Sequence, residues 1–179
     1  HRIARRQRQM CIRDRDVADW FSLDLEQVVS AVILIAVAGE TLRLRMGWTI
    51  VGQRSYEAKQ VSALAWGALG VGMVFLLAPN EAYAYPLILS LSLGDPLLGE
   101  LRRKGVSTKT VILAGTVGIA AIWAFCAYSF ATPWLLVPLM APICVAAEWP
   151  RLRYIDDNAT MLLIPLAVVL VLNPFLGVI

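Results

Sequence analysis

From Thr110 to Ala147 the chain runs 38 residues without one Asp, Glu, Lys or Arg. A membrane-spanning helix needs about 20 predominantly apolar residues, so this stretch has room for two. The remainder agrees with it: 59% of the 179 residues are hydrophobic and 16% charged, with a mean hydropathy of +0.67, against roughly 45–50% apolar and about 25% charged in soluble domains. That balance excludes a water-soluble enzyme, a disordered tail and a secreted disulfide scaffold. The chain reads as an all-α, polytopic transmembrane helical bundle.

The first 15 residues stand apart. HRIARRQRQMCIRDR contains six arginines and the single His, and its Arg5–Arg15 portion resembles the translation of a transposon-end adapter used in preparing sequencing libraries. Residues 1–15 are therefore read as a non-native scar, and 16–179 as a single transmembrane domain that is N-terminally truncated. Without them ten basic and twelve acidic residues remain and the formal net charge changes from +3 to −2. The basic balance of the whole chain is then no sign of nucleic-acid binding. Cys126 and Cys144 lie inside apolar runs without metal-ligand spacing, and read as small packing residues.

Charged and Pro/Gly breaks divide the chain after Asp16 into six expected spans: about Gln27–Leu42, Gln60–Ala78, Ala82–Leu98, two within Thr110–Ala147 separated at Ala131-Thr132-Pro133, and Ala159–Ile179. All ten remaining bases fall in three loops. Arg43, Arg45, Arg54 and Lys59 follow the first span, Arg102, Arg103, Lys104 and Lys109 the third, and Arg151 and Arg153 the fifth. With six spans these loops share one side, which the positive-inside rule makes cytoplasmic. Gly67, Gly70 and Gly72, with Ala63 and Ala68, read as close helix packing of the small-residue type. Trp20, Trp48 and Trp134 suit an interfacial belt, and Trp66 and Trp123 packing or lipid contact. Neither a P-loop nor a dinucleotide fingerprint occurs in a strand-to-helix context.

Ionisable groups at a helix centre cost about 2.5–3.5 kcal/mol each on insertion scales, so acids that persist at membrane depth usually face a polar cavity. Asp95 ends the third span, Glu148 the fifth, and Asp156-Asp157-Asn158 precedes the sixth. Carboxylates and an amide oxygen suit Mg²⁺, which is held through one or two carboxylates plus substrate phosphates. Arg and Lys nearby neutralise phosphate oxygens. The same charges also read simply as loop residues that fix topology, the better reading for Arg43, Arg45, Arg54, Arg151 and Arg153 taken singly.

Ala147-Glu148-Trp149-Pro150, then Ile155-Asp156-Asp157-Asn158-Ala159-Thr160 and an apolar span with Pro165, resembles the C-terminal signature of the dolichol kinase and phytol kinase family. Leu91-Ser92-Leu93-Gly94-Asp95 with Arg103 and Gly105 downstream is similar to that family's Gly-Asp block, and Ser107-Thr108-Lys109-Thr110 falls where it has a Lys-Ser or Lys-Thr pair. Glu40 with Arg43, then Glu57 and Lys59, resembles its earlier Glu and Arg-Lys motif. The chain departs from the pattern at Pro96, Leu98, Arg102, Ser62 and Ile112.

The resemblance implies a membrane lipid kinase moving the terminal phosphoryl group of a nucleotide, commonly CTP, onto a polyisoprenoid alcohol such as phytol or dolichol. On that reading Asp95, Asp156 and Asp157 hold Mg²⁺. Arg103, Lys104, Lys109 and Asn158 contact the nucleotide, Asp95 and Asp157 are catalytic, and Glu148 accepts the alcohol's proton. The site would lie on the cytoplasmic face of an integral membrane protein whose partners are the nucleotide and the lipid alcohol. Two alternatives stay open: a CTP-dependent cytidylyltransferase of a phospholipid precursor, and a degenerate, non-catalytic member of the family.

Overall fold

A computed structural model of the chain describes residues 23–49, 59–150 and 152–176; the expected scar at 1–15, Arg54, Glu57 and Arg151 lie outside them. Every regular element among the described residues is helical. In chain order they are α1 (Leu25–Met46), α2 (Ala63–Leu77), α3 (Glu81–Leu89), a π-helical turn (Ser90–Gly94), α4 (Asp95–Arg103), α5 (Thr108–Ser129), α6 (Leu136–Ala147) and α7 (Asp157–Leu176).

Local chemistry sets these boundaries. Ser62, Asn80 and Ser107 each accept a backbone N–H of the following first turn, at 3.2, 3.0 and 3.3 Å, and so start α2, α3 and α5. Such caps satisfy donors that have no partner inside the helix. Gly47 after α1 and Gly105 after α4 take left-handed conformations, φ 68° and 70°, as glycine does at helix ends. Between α5 and α6 the chain turns at Ala131, and the Thr132 hydroxyl donates to the Ala82 carbonyl at 2.6 Å, tying this turn to the start of α3.

Helix α5 packs on α6, α6 on α7, α7 on α2, and α2 on α1, with α3 seated against α5. The core is apolar, with Leu87, Leu98, Ile119, Trp123, Leu136, Met140, Met161 and Leu162 fully buried. Cys126 and Cys144 are buried and free, as their apolar surroundings implied. Two glycines of α2 serve helix packing: a side chain at Gly70 would meet Leu162 at 2.8 Å, and one at Gly72 would meet Ile33 at 2.6 Å. Gly67 has no neighbour within 4 Å, so the packing reading fails there.

Each expected span corresponds to helix, but the count of six crossings is corrected. Among the described residues only α1, α5 and α7, of 22, 22 and 20 residues, are long and apolar enough to cross a membrane. Helices α2 and α6 are apolar but shorter, at 15 and 12 residues. The expected third span is α3, the π-turn and α4 in succession, and α4 carries Asp95, Glu100, Arg102 and Arg103. Hydropathy reads apolar length along the chain; it does not see where a helix stops.

Candidate functional site

Ion pairs and hydrogen bonds join the charged loops at one end of the bundle. Near the end of α1, the buried Arg43 guanidinium grips Glu40, donating from Nε and Nη2 at 3.0 and 2.8 Å, and reaches the Gln60 carbonyl at 2.7 Å. Glu40 in turn accepts the Ser62 N–H at 2.6 Å. A charge-assisted set of this kind fastens the end of α1 to the start of α2. One turn into α2, the Trp66 indole donates to the Tyr154 carbonyl at 3.1 Å. That bond fixes the segment preceding α7 beside α2.

Across from Trp66, Glu148 closes α6 with its side chain 1% exposed. Its Oε1 pairs with Arg102 of α4, whose guanidinium also lies over the Trp149 ring, 5.5 Å from the centroid. Glu148 Oε2 is buried without a hydrogen-bond partner among the described residues. A buried acceptor left in that state costs free energy, so its position calls for an explanation beyond stability. Gln60, Trp66, Arg102, Glu148, Arg153, Asp156 and Asp157 all line one polar cleft of about 470 Å³. Asp156 and Asp157 face each other across a shared donor: the Asn158 N–H reaches Asp156 Oδ1 at 3.2 Å and Asp157 Oδ1 at 3.1 Å.

The cleft therefore unites three of the sequence-expected acids, Glu148, Asp156 and Asp157. It leaves others outside. Asp95 does not line it and sits at the start of α4, next to Gly94, where an added side chain would meet Ile119 at 3.2 Å. Arg103 and Lys104 turn to Glu100, at 2.8 and 3.5 Å, on the exposed face of α4. There the Arg103 guanidinium, aided by Lys104, holds the Glu100 carboxyl below the usual carboxylate range, and Glu100 raises Arg103. Lys109 is exposed in the first turn of α5. Asn158 borders a second, apolar groove of about 680 Å³ between α1 and α2.

Among the described residues no three His, Cys, Asp or Glu side chains are grouped as a metal cage. Of the expected metal-holding carboxylates, Asp156 and Asp157 line the cleft and Asp95 does not. A pair is still sufficient for Mg²⁺ that arrives with phosphates and keeps several waters. Sequence reasoning gave Trp66 to packing or lipid contact, passed over Tyr154, and placed Arg102 at a departure from the family pattern; a guanidinium three positions from Gly105 gave no sign that it would fold onto Glu148. Arg153 was visible as a loop base, and it lies over the Tyr154 ring at 5.4 Å.

Compared with known proteins, the chain matches no family model, no curated protein and no solved structure.

Proposed function

We propose that this chain is a membrane lipid kinase that moves the terminal phosphoryl group of a nucleotide onto a long-chain isoprenoid alcohol. One observation carries the reading. The polar cleft and the apolar groove both border the first turn of α7, where Asp157 lines the first and Asn158 the second. A reaction between a water-borne triphosphate and a lipid alcohol needs such a junction, because a charged donor cannot enter hydrocarbon without a large desolvation cost. CTP as the donor rests on the family resemblance.

Arg102 and Arg153 supply the positive charge that the cleft offers to phosphate oxygens. Asp156 and Asp157 would hold Mg²⁺, which when bound neutralises phosphate charge and leaves the protein chiefly a positioning task. The alcohol oxygen attacks the terminal phosphorus, the bond to the bridging oxygen breaks, and the nucleoside diphosphate leaves. The alcohol's proton passes to a carboxylate of the cleft, Asp157 or the unpartnered Oε2 of Glu148. Arg103, Lys104 and Lys109 act at longer range, raising the concentration of anionic donor near the cleft. Basic residues gather at this end of the bundle, which supports a site on the cytoplasmic side under the positive-inside rule.

Purified protein supplied with a prenol and CTP carrying either an α- or a γ-phosphate label tests the reading. Label from the γ position on the lipid supports a kinase. Transfer of the α-labelled nucleotide instead makes the chain a cytidylyltransferase, and no transfer of either kind leaves a non-catalytic membrane protein. Asp157→Asn is expected to lower transfer by at least about 100-fold, the scale on which charge-stabilising groups act, with the helical content unchanged. Asp95→Asn is expected to do less, since Asp95 lies off the cleft.

A further inference from the structure

A glycine inside a helix weakens it relative to alanine, and a close neighbour usually requires the missing side chain. Gly70 and Gly72 have such neighbours in Leu162 and Ile33; Gly67, on the same helix, has nothing within 4 Å. What Gly67 borders is the apolar groove between α1 and α2, whose walls include Val29, Ile33, Val71 and Phe75. From Ala63 to Phe75 the floor runs about 18 Å at 1.5 Å per residue. That is a little over one leaflet of a hydrocarbon core roughly 30 Å thick. Among the described residues Asn158 is the single polar side chain lining it, and no cation does.

We propose that this groove holds the hydrocarbon tail of the acceptor alcohol, with the hydroxyl beside Asn158, and that Gly67 sets the room for the chain. The identity of the occupant rests on the kinase reading above. An alcohol fits the polarity, because its small hydroxyl meets one amide and everything behind it is hydrocarbon. A phospholipid fits poorly, since its phosphate would stand where the groove offers no counter-charge. Gly67 is therefore a specificity-determining residue for the lipid, in the groove and not in the charged cleft.

The test uses the whole chain in phosphatidylcholine nanodiscs with an isoprenoid alcohol carrying a photoactivatable diazirine on its tail. Adducts are expected on α2, near Val71 and Phe75, and a tail-diazirine phosphatidylcholine should label those residues at least tenfold less. Gly67→Leu, a strong helix former placed in open space, should remove most alcohol labelling, whereas Gly67→Ala should leave it nearly intact. Should Gly67→Leu fail to fold, the comparison of the two probes on the native chain still decides. Equal labelling by both probes, adducts confined to other helices, or full labelling of folded Gly67→Leu would each overturn the proposal. Phosphoryl transfer with adducts elsewhere discards the groove and keeps the kinase; alcohol-specific adducts without transfer from any nucleotide do the reverse.

Discussion

The pair between Glu148 and Arg102 is unequal, and its inequality can be measured. Glu148 is 1% exposed and Arg102 45%, so only the acid depends on its partner for charge compensation. Arg102→Ala leaves an ionised carboxylate buried with neither oxygen paired, and removal of one partner from a buried pair costs about 3–5 kcal/mol. Glu148→Ala releases a guanidinium that can turn to water, so its cost should be the smaller, about 1–2 kcal/mol. Thermal unfolding in detergent should rank Arg102→Ala well below Glu148→Ala; the reverse order would remove the buried-acid argument. Glu100 presents the opposite situation on an exposed surface. Its lowered carboxyl is set by Arg103, so its contribution is present above the usual carboxylate pKa and is lost as pH falls through the lowered folded value. The carboxyl's titration midpoint, followed by carbon NMR, should rise toward the ordinary glutamate range in Arg103→Ala or in molar salt, where screening removes exposed pairs.

Among the elements, α1 is held mainly through α2, and Gly72 packs under Ile33 without room for a side chain. Gly72→Ala inserts a methyl 2.6 Å from Ile33, and overpacking of this kind typically costs 1–3 kcal/mol, about the strength of several helix contacts. The variant should loosen α1 toward protease while Ile33→Ala restores its protection. Gly67→Ala should be neutral or stabilising by up to about 1 kcal/mol, since it relieves the helix of a glycine without a clash. The π-turn offers a third site: the buried Trp123 indole donates to Ser90 Oγ at 2.9 Å. Ser90→Ala should cost about 1 kcal/mol or more, because it strands that donor in an apolar core. Helix positions were legible in the sequence because Pro, Gly and charge interrupt the apolar runs. The π-turn was not, since Ser90-Leu91-Ser92-Leu93-Gly94 has the composition of an ordinary helix. The difference between Gly67 and Gly72 was likewise hidden, as it depends on which face of α2 meets α1.

On the scale of the whole molecule, Glu148, Asp156 and Asp157 line one cleft, and their common end of the bundle was legible in the placement of charges between apolar runs. That Asp95, Arg103 and Lys104 do not line it was not legible, because a loop position does not say which way a helix end turns; α4 directs Arg102 toward α6 and Arg103 outward to Glu100. The contacts that join the rim bear on topology as well. Arg43 holds the start of α2, Trp66 holds Tyr154, and Arg102 holds Glu148, so the loops after α1, α4 and α6 share one end of the bundle whether α2 and α6 cross the bilayer fully or stop within it. Single cysteines replacing Arg45, Lys104 and Tyr154, in a Cys11→Ser background, should then react with a membrane-impermeant maleimide from one side only, the cytoplasmic one. Cys126 and Cys144 are buried and should give little background. Labelling of Tyr154→Cys from the side opposite Lys104→Cys would separate the two walls of the cleft by a membrane, and no nucleotide could then bridge Arg102 and Asp157.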